Sequence, residues 1–92
     1  MEIAKISTTP EYWRLRGQGF TGVIHFEHSM FKISFFYLKN GDPHREDGPA
    51  HVFCSGEKEW FLNGIKVTAQ QVFDQLTPEQ QEKAVWEINE WR

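Results

Sequence analysis

Four histidines and one cysteine are the residues of this chain best suited to metal binding or proton transfer. His25 and His28 are three residues apart in a stretch that favours a β-strand, where the two positions point to opposite faces. Two such side chains cannot hold one metal ion unless the strand bends. The spacing therefore favours ordinary strand histidines, and we expect no metal and no cofactor.

Residues 44–47, His-Arg-Glu-Asp, could form an acid–base cluster, because an imidazole, a guanidinium and two carboxylates follow one another. We favour a structural role, in which His44 and Asp47 bond to the backbone of a turn and Arg45 pairs with a carboxylate. Cys54 alternates with apolar residues, which predicts a small core residue with no base placed beside it. The chain is therefore predicted not to be an enzyme.

Residues 12–16 mix aromatic and basic side chains, with Tyr12 and Trp13 followed by Arg14 and Arg16. Such a mixture can stack on nucleic-acid bases. Two positive charges are few, however, and the net charge of −3 opposes binding to phosphates. We expect Trp13 to lie in the core with the arginines in solvent, and we expect no nucleic-acid partner.

The composition indicates a single domain over residues 1–92. A chain of 92 residues can bury one thin core, and its 15% of aromatic residues supply large side chains for it. One cysteine excludes an internal disulfide framework. With no secretory leader and no apolar run of 18 residues, the expected location is the cytoplasm, away from membranes.

A change in composition divides the chain into a β body and a helical tail. Residues 1–67 are rich in glycine, phenylalanine and β-branched residues, whereas residues 68–92 are rich in glutamine, glutamate and alanine. The predicted fold is α+β, a small antiparallel β-meander of about five strands with two C-terminal helices packed on it. Asn63-Gly64 between two apolar runs predicts a two-residue hairpin turn with positive φ at both residues. Ser55-Gly56 and Asn40-Gly41 predict further turns, and strands are expected at 22–28 and 31–38.

The face of the sheet that is buried follows from alternation along residues 31–38. Phe31, Ile33, Phe35 and Tyr37 share one side, while the other side also carries Lys32 and Ser34. The first side is therefore expected to face the core, and Phe36 and Leu38 to need cover from a helix or a partner. The predicted core comprises Trp60, Phe35, Ile33, Val52, Ile88 and Val85.

An internal repeat supports the hairpin prediction, because residues 37–41 match residues 60–64 at a spacing of 23. The residues of this pattern are Asn40, Gly41, His44, Arg45, Asp47, Gly48, Pro49, Trp60, Asn63 and Gly64. From 37 to 64 they resemble a MORN-like short β-hairpin repeat of phage and bacterial proteins, which reads W-Y-x-N-G-x-x-H-R-x-D-G-P-A. The resemblance implies hairpin units and carriage by phages or prophages, and it implies no reaction. The second copy lacks the His-Arg and Asp-Gly-Pro-Ala residues, so we expect the array to end there.

Two helices are expected in the tail and one near the N-terminus. Thr68 and Gln71 form a capping box for a helix over 69–76, and Pro78 begins a helix that extends to about residue 90. Thr9-Pro10-Glu11 predicts a short helix that ends near Gly17.

The tail helix is expected to carry an acidic face around one large ring. On a helical wheel Trp86 lies away from the apolar side, among carboxylates. The candidate partner-binding residues are Trp86, Glu79, Glu82, Glu87 and Glu90. An ordinary solvated face is the alternative reading.

These patterns favour a small protein-interaction module, phage- or prophage-encoded, that acts in a host cytoplasm. Such a module would bind a host or anti-phage defence protein with a basic surface, with inhibition as one way of acting. The alternative is a binding protein for a small ligand, such as a nucleotide-type signal held between sheet and helix. A homo-oligomer is left open.

Overall fold

The computed structural model describes residues 2–29 and 32–82. Seven strands and two helices are assigned within them, and residues 78–82 are also helical. In chain order the elements are β1 (Ile3–Ile6), α1 (Thr9–Gly17), β2 (Gly22–Ser29), β3 (Lys32–Lys39), β4 (Asp42–Pro43), β5 (His51–Val52), β6 (Lys58–Leu62), β7 (Ile65–Val67) and α2 (Ala69–Asp74). The predicted α+β class is confirmed.

The strands form one sheet in the order β1-β2-β3-β5-β6-β7, and β4 lies in line with β5 along the same edge of β3. The predicted antiparallel meander has one exception at its edge, because β1 runs parallel to β2. Helix α1 makes this parallel pairing possible, since a parallel neighbour needs a crossover connection. The other strand pairs are antiparallel, as predicted.

Both Asn-Gly turns have the predicted backbone conformation. Asn40 and Asn63 have φ of 52° and 51°, and Gly41 and Gly64 have φ of 84° and 82°. Positive φ at both central residues matches the right-handed twist of the flanking strands. The segment after Gly41 begins with the short strand β4.

The main core lies on the face of the sheet that α1 covers, which we call the α1 face. Ile6, Ile24, Phe36 and Leu38 are buried there, with Tyr12 and Leu15 of α1 packed against them. The side chain of Ser34 on the same face is 0% exposed. The predicted face assignment is therefore reversed, because Phe36 and Leu38 are buried while Ile33, Phe35 and Tyr37 are half-buried.

The predicted core set is only partly tested. Trp60 and Val52 are half-buried rather than fully buried. Val85 and Ile88 lie outside the described residues. Helix α2, the first helix of the tail, packs against β6, and its Val72 is fully buried. Thr68 caps α2 with the predicted capping box.

Candidate functional site

The first Asn-Gly turn of the repeat is held beneath the C-terminus of α1. The Asn40 N–H donates to Thr21 Oγ1 at 2.9 Å, and the Gly41 N–H donates to the Phe20 carbonyl at 2.9 Å. Arg16 Nε donates to the Gly41 carbonyl at 2.9 Å. A Cβ at Gly41 would overlap the Arg16 carbonyl oxygen, so this glycine is required by space as well as by its positive φ.

His44 joins the first hairpin to the second. Its Nδ1 accepts the Asn63 N–H at 2.8 Å, and its Nε2 lies 3.3 Å from Glu46 Oε1. The Gly64 N–H also donates to the Pro43 carbonyl at 2.8 Å. These bonds tie the two Asn-Gly turns together, and the imidazole accepts a backbone N–H, as predicted for His44.

Arg45 is enclosed by the other residues of the repeat. Its guanidinium lies 4.2 Å from the centre of the Tyr37 ring, and its Nε donates to Asp47 Oδ1 at 2.9 Å. Its Nη1 donates to the Pro49 carbonyl at 3.3 Å. A Cβ on Gly48 would lie 2.7 Å from Arg45 Cζ, so a larger residue there would require the guanidinium to shift. The predicted pairing of Arg45 with a carboxylate is confirmed.

A serine–histidine contact that sequence reasoning missed lies at the far end of β2 and β3. His28 Nε2 is 2.9 Å from Ser34 Oγ, which also accepts the Cys54 N–H at 3.0 Å. The spacing resembles a nucleophile beside its base. Because Ser34 is fully buried, a substrate cannot reach its oxygen, and the hydroxyl serves to hold the β5–β6 turn against the sheet. Cys54 itself is exposed, so its predicted core position is wrong.

A second histidine, His51, lies among aromatic rings on the α1 face. Its ring centre is 4.7 Å from that of Phe61 and 5.0 Å from that of Phe36. Nδ1 lies 3.1 Å from Glu59 Oε1, while the buried Nε2 has no hydrogen-bond partner within the described part of the chain. Burial lowers the pKa of His51 below its usual value, against the opposing effect of Glu59. The hydrogen bond from His51, followed by that from Lys66, lowers the pKa of Glu59.

An open cavity of about 760 Å³ lies between the sheet and the helical residues 78–82 of the tail. Val23 and Tyr37 of the sheet line it on one side and Gln80 on another. Its charged lining is balanced, since Lys39 and Arg45 are matched by Glu46 and Asp47. The cavity has the position expected for a small ligand held between sheet and helix.

The exposed aromatic surface of the described chain lies on α1. Trp13 is 58% exposed, which corrects its predicted core position. Tyr12 meets it edge to face at 5.3 Å, and Arg16 Cζ lies 5.1 Å from the centre of the Trp13 ring. Tyr12 in turn packs on buried Phe36 at 5.2 Å. The exposed tryptophan is thus linked to the core through Tyr12, and we call Tyr12, Trp13 and Arg16 the Trp13 surface.

The predicted acidic surface is only partly described. Glu79 and Glu82 are exposed, whereas Trp86, Glu87 and Glu90 lie outside the described residues. No group of three or more His, Cys, Asp or Glu in residues 2–29 and 32–82 is arranged to hold a metal ion. No helix in this part of the chain is long and apolar enough to cross a membrane.

Comparison with known proteins finds no matching family model, no matching curated protein and no matching solved structure.

Proposed function

We propose that this chain is a small non-enzymatic protein-interaction module that contacts its partner through the Trp13 surface. The observation that carries the proposal is the exposure of Trp13 at 58% on a helix fixed to the core. Trp, Tyr and Arg are the residue types that dominate binding energy at protein interfaces. All three occur here within five residues and in mutual contact.

The contacts that hold Arg16 and Tyr12 favour protein recognition by this surface. Arg16 is fixed by its bond to the Gly41 carbonyl, and Tyr12 by its contact with Phe36. Side chains that are ordered before binding lose little conformational entropy on association. Arg14 and Arg16 also give this part of the chain only two positive charges, fewer than a nucleic-acid site requires.

The resemblance of residues 37–64 to a repeat carried by phages supports a phage or prophage origin as part of the same proposal. A small protein of this kind would bind a host or anti-phage defence protein in the host cytoplasm. Inhibition of that protein is the action we favour, because the chain offers a contact surface and the repeat residues are occupied with holding the hairpins.

Affinity capture from a host lysate tests this proposal, with the wild-type chain and two variants as bait. The Trp13→Ala bait should fail to capture the partner that the wild-type bait captures. Ile65→Ala is the matched control, because Ile65 is 68% exposed at the other end of the sheet. Thermal unfolding of each bait shows that the fold is intact. A partner retained equally by Trp13→Ala and the wild type would reject the Trp13 surface.

The cavity beside Tyr37 supports the second candidate function, binding of a small nucleotide-type ligand. A ligand that binds only the folded chain raises its melting temperature by mass action. Mononucleotides and cyclic dinucleotides are the probes, and Lys39→Glu is the variant, because Lys39 is an exposed residue of the lining. An increase in melting temperature that is smaller in Lys39→Glu supports this function. If none of the probes raises the melting temperature, this function is rejected.

A further inference from the structure

The edge strand β1 has backbone groups that no described strand pairs. β1 is the first strand of the sheet and bonds to β2 on one side only. The Val23 N–H donates to the Glu2 carbonyl at 2.9 Å. Since backbone groups alternate in direction along a strand, Glu2, Ala4 and Ile6 face β2, and Ile3 and Lys5 point their N–H and C=O groups outward.

The apolar side chain at this edge is also open. Ile3 is 64% exposed, although isoleucine is among the residues most often buried. Ile3 and Lys5 border a groove of about 290 Å³ on the face opposite α1, which Val23, His25 and Phe35 also line. An unpaired edge beside an exposed isoleucine is a template for strand pairing.

The opposite edge of the sheet is less suited to pairing. In the β6–β7 hairpin, Leu62 and Ile65 close the two-residue turn and bond to each other, so only Lys66 points its backbone groups outward. Thr68 is the next residue whose backbone groups point outward, and its N–H already donates to Gln71 Oε1 at 2.8 Å. β1 therefore has twice as many outward-facing residues as β7.

We propose that β1 pairs with β1 of a second copy of this chain, antiparallel and about a two-fold axis at Ala4. In this register the outward residues meet, so Ile3 pairs with Lys5 of the partner subunit and Lys5 pairs with Ile3 of the partner subunit. Each such pair exchanges two backbone hydrogen bonds, which gives four between the chains. The two sheets become one continuous sheet, and the interface is isologous.

The side chains at this edge fit that register best. A shift by two residues would place Lys5 opposite Lys5 of the partner subunit, or leave Ile3 opposite Ile3 of the partner subunit as the only outward pair within β1. Ala4 faces Ala4 of the partner subunit at the axis, where a non-hydrogen-bonded pair brings side chains closest and a small residue is needed. Lys5 lies opposite an isoleucine, so its aliphatic stem covers the exposed Ile3 while its ammonium reaches solvent. A shift by one residue would break the match between outward backbone groups.

A charge-swap series tests the register by sedimentation velocity over a range of protein concentrations. The wild-type chain should dimerise. Ile3→Lys places lysines directly opposite each other twice and should raise the dimer dissociation constant about tenfold. The double variant Ile3→Lys, Lys5→Glu restores opposite charges and should recover the dimer. Ile65→Lys is the control at the other edge, with Ile65 as exposed as Ile3.

The results separate this proposal from the Trp13 surface, because Trp13→Ala should leave the dimer intact. A wild-type chain that stays monomeric at its highest soluble concentration overturns the β1 pairing. So does a dimer that Ile3→Lys leaves unchanged, or one that Ile65→Lys weakens to the same extent. Circular dichroism of each variant establishes that a lost dimer is not a lost fold.

Discussion

The two Asn-Gly turns have the same backbone conformation in different surroundings. Gly41 and Gly64 differ by 2° in φ, at 84° and 82°. Gly41 lies against the α1 backbone, whereas a Cβ at Gly64 would meet Asp42 Cβ at an ordinary 3.4 Å. The sequence predicts the conformation at both turns, because Asn and Gly tolerate positive φ. It does not predict the contact with α1, which depends on residues 25 positions away.

The paired variants Gly41→Ala and Gly64→Ala separate these two effects. Gly64→Ala should lower the free energy of unfolding by about 1–2 kcal/mol, from left-handed strain alone. Gly41→Ala should lower it by about 1–3 kcal/mol more, because the new methyl overlaps the Arg16 carbonyl. Urea unfolding at one pH measures both values. Equal decreases in the free energy of unfolding for the two variants would show that α1 moves away from the turn without an energetic penalty.

His51 should make stability depend on pH. Burial holds its folded-state pKa below the unfolded value of about 6.5, so the unfolded chain binds more protons as the pH falls through 6.5. The contribution of His51 to the free energy of unfolding is therefore complete above pH 6.5 and is lost progressively below it. Glu59, with a lowered pKa, adds a further loss only below about pH 4.5.

Urea unfolding at pH 7.5 and pH 5.5 measures this dependence in the wild type and in His51→Gln. The wild type should lose stability at the lower pH, and His51→Gln should lose less, because an amide does not titrate. Glu59 remains ionised at both values. An equal loss in the two proteins would mean that His51 gains its proton in the folded state without penalty.

At the scale of elements, β3 shows why the buried face could not be predicted from its sequence. Five of the residues from Ile33 to Leu38 are apolar, and they occupy both faces of the strand. The one polar residue among them, Ser34, indicates solvent by pattern but is buried with its hydroxyl bonded. The burial is decided by α1, whose position over the sheet depends on the parallel pairing of β1, a contact between distant residues.

Truncation of neighbouring phenylalanines tests this assignment. Phe36→Ala should lower the free energy of unfolding by about 3–5 kcal/mol, because Phe36 is 9% exposed and contacts four other rings. Phe35→Ala should lower the free energy of unfolding by clearly less, since the half-buried Phe35 lies on the opposite face. Chemical denaturation of both variants gives the comparison. A greater loss for Phe35→Ala would favour the face predicted from alternation.

At the scale of the whole molecule, the charge is divided between the two parts of the chain. Residues 1–66 have eight basic and eight acidic residues, while residues 67–92 have two basic and five acidic, which gives the net −3. Glu79 and Glu82 are exposed at the start of this acidic region. The hairpin turns, α2 and its capping box could be predicted from local pattern. The edge strand β1 and the exposure of Trp13 could not, because both depend on packing between distant segments.

The acidic residues of the tail should favour a partner with a basic surface. Trp86 is the residue of the tail that is predicted to anchor this partner. Glu79→Lys with Glu82→Lys should slow association with a basic partner, and added salt should reduce the difference, because such steering is screened. Glu57→Lys, at an exposed position in the β body, is the charge control.

Trp86→Ala should weaken binding by at least about 2 kcal/mol while the melting temperature stays close to that of the wild type. A strong fall in melting temperature for Trp86→Ala, with binding lost only in proportion to unfolding, would instead make Trp86 part of the core and leave Trp13 as the anchor for the partner.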